Sequence, residues 1–140
     1  MIVVDASFAY AILDRADEGH EAARSWYERP HGRLATTPLV LAEVDHLAAT
    51  RLGTPGRSAF LDDVAAGGYD VDWWEDASTA SADVVRQYVD LGISLTDASL
   101  VALAARLETA SIATFDERHF RAMRPLTAEP AFTLLPLDET

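Results

Sequence analysis

Short apolar, β-branched runs alternate with stretches of helical periodicity along the whole chain, and few folds accommodate that alternation. The chain opens with Ile2-Val3-Val4, a strand expected over residues 1–5, and passes through Asp5 into a helix expected at 7–13. A second helix is expected at 17–27, stopped by Pro30 and Gly32, and a short strand at 33–36. Thr37-Pro38 reads as an N-cap followed by proline at the first helical position, opening a helix to about residue 52. Residues 53–56 read as a turn, 57–66 as a helix, and 69–74 as a strand after Gly67-Gly68. Helices at 77–91, ended by Gly92, and at 96–108, capped by Thr96, are followed by a strand at 111–115, a short helix at 117–123 and a last strand at 132–137. Strands alternating with helices imply a central, mostly parallel sheet covered on both faces, a three-layer α/β/α domain.

Size and composition narrow the function. The 140 residues are expected to form a single domain, 1–140, and the 49% hydrophobic content excludes a disordered chain. With no cysteine, neither a disulfide framework nor a thiolate zinc site is possible. The four histidines (His20, His31, His46 and His119) show no ligand spacing and read as surface or partly buried residues. The N-terminus lacks the positive region of a signal peptide, and no run approaches the ~20 apolar residues of a membrane span. A cytoplasmic location without membrane association is therefore expected. The net charge of −12 argues against non-specific adhesion to nucleic acid and suits a basic protein partner. All 11 basic residues are arginine.

Four acids stand where acids are costly. Asp5 follows an apolar strand and precedes an apolar helix. Glu43 lies three residues after Val40 and four before Leu47, at the edge of the buried stripe of its helix. Asp97 precedes Leu100, Val101 and Ala104 at i+3, i+4 and i+7, which turns it inward at the first turn of its helix. Asp116 directly follows the strand at 111–115. Taken singly, the aspartates also suit helix caps. Taken together, two sit at carboxyl ends of strands, where open α/β sheets bind ligands, and two on inward helix faces. Two such charges ~4 Å apart repel by about 4 kcal/mol at an effective dielectric of 20, so convergence calls for protonation or a cation. An all-oxygen donor set selects Mg²⁺ or Mn²⁺ over zinc. Ser7, Thr96, Ser99 and Thr114 are nearby hydroxyls, of which Ser7 and Thr114 are candidates to orient the carboxylates.

The segments VVDAS, LAEVDHL, LTDASLVALAARL and IATFDERHF, in that order, resemble the acidic quartet of the PIN-domain ribonucleases. In size and layout the chain is similar to the VapC-like toxins of bacterial toxin–antitoxin pairs. The resemblance spans essentially the whole chain and implies a PIN-like fold with Asp5, Glu43, Asp97 and Asp116 as catalytic, metal-holding residues. It implies a Mg²⁺-dependent endoribonuclease, with Mn²⁺ able to substitute, that hydrolyses RNA phosphodiester bonds with metal-activated water to leave 5′-phosphate and 3′-hydroxyl ends. It also implies a homodimer and a VapB-like antitoxin that brings basic residues to the acids. The chain departs from an RNA enzyme in its acidity, so RNA contact is expected to be local. Arg118, Arg121 and Arg124, spaced by three, are candidates for a phosphate-binding ridge, with Arg15 a further one. Phe8, Tyr10, Trp26, Tyr27, Trp73 and Trp74 are candidates for a groove or dimer face, although such spacings also suit a core.

Two other functions fit the residues. One is a metal-dependent phosphohydrolase of small phosphoesters, although Ser7 stands where a D-x-D motif would place its second aspartate. The other is a catalytically silent PIN-like binding module whose acids serve as caps or a docking site.

Overall fold

The computed structural model of the chain describes residues 1–139. Five strands form one sheet: β1 (Ile2–Val4), β2 (Leu34–Thr36), β3 (Asp70–Val71), β4 (Ser111–Ala113) and β5 (Thr133–Leu135). The spatial order is β3-β2-β1-β4-β5 and every pairing is parallel, which sharpens the expected mostly parallel sheet. Val3 pairs with Ala35 on one side and Ile112 on the other, so β1 is central. Val3 and Val4 point to opposite faces, and both are fully buried. Helices therefore cover both faces, giving the three layers.

The helices are α1 (Ala6–Leu13), α2 (His20–Glu28), α3 (Pro38–Arg51), α4 (Gly53–Ala65), α5 (Ala77–Gln87), α6 (Leu95–Arg106) and α7 (Glu117–Phe120). Phe8, Phe60, Phe120, Leu100 and Leu103 are the largest fully buried side chains. Each stabilises the fold by about 1.5–3 kcal/mol through apolar area removed from water. Of the aromatic residues considered as a contact face, Phe8, Tyr10 and Trp26 are buried, whereas Trp73 remains exposed. No helix among the described residues is long and apolar enough to cross a membrane.

Several boundaries differ from the pattern-based expectation for identifiable reasons. The stretch 53–56 is the first turn of α4 rather than a loop. Gly53, at φ +68°, redirects the chain, and Pro55 falls among the first N–H positions, which have no intrahelical partner to lose. The expected helix at 77–91 ends at Gln87 and continues as a 3₁₀ turn, Val89–Leu91, before Gly92 takes a left-handed φ of +69°. Helix α6 begins earlier than expected: Ser94, not Thr96, is its N-cap. Helix α7 stops at Phe120, well short of residue 123, and β3 keeps only two residues of the alternating stretch at 69–74.

The sheet order reverses direction beside β1, with β2 following on one side and β4 on the other. That switch point opens a crevice at the carboxyl ends of β1 and β4, where Asp5 and the segment 114–116 emerge.

Candidate active site

A cleft of about 810 Å³ occupies this crevice, and Asp5, Glu43, Asp97 and Asp116 all line it. The structure thus brings together four residues spread over more than a hundred positions.

Asp5 is the most constrained. It occupies the N-cap position of α1 but makes no side-chain cap bond. Instead its Oδ2 accepts hydrogen bonds from the Ser7 hydroxyl (2.6 Å) and the Thr114 hydroxyl (2.7 Å). Each hydroxyl has one proton to give, and each also accepts a backbone N–H: Phe115 donates to Ser7 and Asp116 donates to Thr114. The ends of β1 and β4 are thereby stitched through one carboxylate. Asp5 is only 4% exposed. Burial pushes its carboxyl up; the Ser7 and Thr114 hydrogen bonds act in the opposite sense, and the Asp116 charge adds to the rise.

Asp97 is carried inward by the first turn of α6. Its backbone N–H donates to Ser94 Oγ at 3.0 Å, which leaves its own side chain to face the cleft. Burial, then the charges of Asp5 and Asp116, push its carboxyl up to about 6, and His119 pulls it back down. Asp116 combines the two roles considered for it. Its Oδ1 caps α7 by accepting the His119 N–H at 3.1 Å, and its Oδ2 lies 2.9 Å from His119 Nδ1. Glu43 stands on α3 at the open side of the cleft, where lost hydration and then the Asp5 charge raise its carboxyl. The other two hydroxyls are engaged elsewhere: Ser99 donates to the Thr96 carbonyl and bonds Thr37, tying α6 to the start of α3.

His119 is the site residue that sequence reasoning passed over. It is half-buried, and its Nδ1 lies 3.5 Å from Asp97 Oδ2 as well as 2.9 Å from Asp116 Oδ2. Ionised carboxylates only accept, so Nδ1 carries the proton in this bridge. One donor atom each from Asp97, Asp116 and His119 lies within 4.8 Å of the others. Such a constellation, surrounded by carboxyls whose pKa values are raised, matches the charge and donor chemistry of a divalent cation site. Its signal in the sequence is Asp116-x-x-His119, an i,i+3 pair at a helix start.

The arginines after Asp116 do not share one helix, because α7 is only one turn long. Arg121 is held between Glu117 (2.8 Å) and Asp138 (2.8 Å). Arg118 is exposed and forms no ion pair among the described residues.

Comparison with known proteins gives a consistent picture. The PIN-domain profile matches residues 2–124. Ribonuclease VapC26 of Mycobacterium tuberculosis is 35% identical over 141 residues, an alignment spanning 96% of this chain and 100% of that protein. The crystal structure of Mycobacterium tuberculosis VapC20, a sarcin–ricin loop cleaving toxin, matches with a TM-score of 0.78 over 84% of this chain and 91% of that one. At 20% identity this second likeness bears on the fold.

Proposed function

The chain belongs to the PIN-domain family and is VapC-like, and from that premise we propose that it is a toxin-type endoribonuclease dependent on a divalent metal, Mg²⁺ or Mn²⁺. The observation that carries this reading is the convergence of Asp5, Glu43, Asp97 and Asp116 on one cleft at the switch point of the sheet. In this reading Asp97, Asp116 and Asp5 hold the metal. A bound ion would lower the pKa of a water molecule, orient the scissile phosphate and offset charge on the attacking and leaving oxygens.

The chain's own groups divide the remaining work. Ser7 and Thr114 fix the Asp5 carboxylate at one oxygen, so that it need not reorganise as the site fills. The Asp116 cap bond and the His119 bridge hold two carboxylates in register. Glu43, raised in pKa and on the open side, takes the proton released by the attacking water. Arg118 is available to an RNA phosphate at the rim, whereas Arg121 would first have to give up its two carboxylates. The name of the VapC26 relative supports ribonuclease chemistry. The family implies a VapB-like antitoxin and a homodimer, and a cleft this acidic suits a basic inhibitory segment.

The test is cleavage of total bacterial RNA by the purified protein with Mg²⁺, Mn²⁺ or EDTA, beside Asp97→Asn. Discrete fragments that require metal and vanish in the variant are expected. Intact RNA with a folded protein that binds Mn²⁺ would overturn the reading.

A further inference from the structure

The cleft poses an electrostatic problem for the substrate that the proposed function assigns to it. Besides the four acids already described, Asp17, Glu18 and Glu117 line it, and RNA phosphates must enter this field. Seven of the eleven arginines are spent on ion pairs: Arg24, Arg29, Arg33, Arg57, Arg86, Arg106 and Arg121. Of the other four, Arg15 borders a separate depression near His20, and only Arg51 lines the cleft.

Arg51 ends α3, the helix that carries Glu43. Glu43, Leu47 and Arg51 fall at i, i+4 and i+8 and all line the cleft, so they form one helix edge about 12 Å long. The guanidinium lies over the Tyr10 ring, 5.3 Å from its centroid. Tyr10 is itself fixed: it is 3% exposed, and its hydroxyl donates to Asp14 Oδ2 at 2.5 Å. Among the described residues Arg51 makes no ion pair, although its charge reaches Asp14. Its seat over a buried ring restrains the guanidinium, which has no ion-pair partner among the described residues to satisfy its N–H groups.

We propose that Arg51 is the phosphate-gripping residue of this cleft. It binds a backbone phosphate of single-stranded RNA farther along the strand than the phosphate held at the acids, and Tyr10 is the platform that aims it. This assignment rests on the ribonuclease reading and names the chain's own answer to the charge of its cleft. The acids set where the strand is cut, and Arg51 sets its register on the α3 edge.

The probe is a fluorescein-labelled, mixed-sequence single-stranded RNA of twelve nucleotides, followed by anisotropy in Ca²⁺ across a salt series. Arg51→Ala is expected to weaken binding about tenfold and to reduce the slope of log K against log[salt] by about 0.7, the value for one lost phosphate contact on a single strand. Arg51→Lys, which keeps the charge but not the fork, should keep the slope and lose part of the affinity. Arg86→Ala, an exposed charge on α5, should change neither. Mn²⁺ affinity by calorimetry should be the same in all three variants. An unchanged dissociation constant and slope in Arg51→Ala, with the unsubstituted protein binding RNA, would overturn the role of Arg51 alone. RNA neither bound nor cut by the unsubstituted protein would overturn the nuclease reading and this inference with it.

Discussion

Acidic side chains on the outer surface and acidic side chains in the cleft live by opposite rules. Outside, carboxylates meet arginines: Asp45 with Arg57 at 2.7 Å, Asp72 with Arg106 at 2.8 Å, Asp70 with Arg33 at 2.8 Å. Inside, Asp5, Asp97 and Glu43 have no arginine partner among the described residues, and their carboxyls are raised by lost hydration and, in each case, by another acid of the cleft. A chain with eleven guanidiniums spends seven on its surface and none on the acids that need one most. Stability alone would not produce that distribution, because exposed pairs contribute little and buried unpaired charges cost several kcal/mol. The cleft is therefore best understood as a site left short of positive charge that a ligand supplies.

The largest expected effect is on chemistry. Asp5→Asn or Asp97→Asn should lower RNA cleavage at least a thousandfold while circular dichroism stays native. Surviving activity in either variant would break the contrast, since those acids would then be structural.

The second effect is on stability and has a defined sign. Burial, then the charges of Asp5 and Asp116, push the Asp97 carboxyl up to about 6, well above the ordinary carboxylate range. Its folded pKa is raised, so its contribution favours folding only at low pH and is lost as pH rises through 6. Asn does not titrate. Metal-free Asp97→Asn should thus be more stable than the parent by about 2 kcal/mol at pH 7.5, and the advantage should shrink to nothing below about pH 4. Urea denaturation in EDTA at the two pH values measures it. Millimolar Mn²⁺ should reverse the order, because it stabilises the parent by binding the native state.

A smaller effect concerns the bridge that holds two of the acids in register. His119 Nδ1–H spans Asp97 and Asp116, so His119→Ala should weaken Mn²⁺ binding about tenfold in calorimetry by releasing the two carboxylates, without removing a ligand. The smallest effect is expected outside the cleft: Arg57→Ala, which removes an exposed pair, should cost less than about 1 kcal/mol and leave cleavage untouched.

What was legible in the sequence was what periodicity and position encode. Short apolar or alternating runs located all five strands, and the spacing of Asp97 to Leu100, Val101 and Ala104 turned that acid inward, as the structure has it. The features that escaped depend on contacts between distant segments or on choices between equivalent local signals. Ser94 and Thr96 are both good caps, and only the start of α6 chooses between them. Ser7 and Thr114 were legible as candidates to orient carboxylates, but their sharing of one Asp5 oxygen depends on the β1–β4 pairing, which no local pattern reveals. His119 was hidden because no other histidine stands at ligand spacing to it; its partner is the aspartate three residues before it. Arg51 was hidden because its cleft is assembled from α1, α3 and the segment after β4.

The most direct test of the central claim is whether the acids of the cleft share one divalent ion. Mn²⁺ titrated into the purified protein by calorimetry, beside Asp97→Asn and the surface variant Asp45→Asn, decides it. One class of site in the parent and in Asp45→Asn, weakened at least tenfold in Asp97→Asn, is the expected result. Equal Mn²⁺ affinity in all three proteins, or none in any, would contradict it.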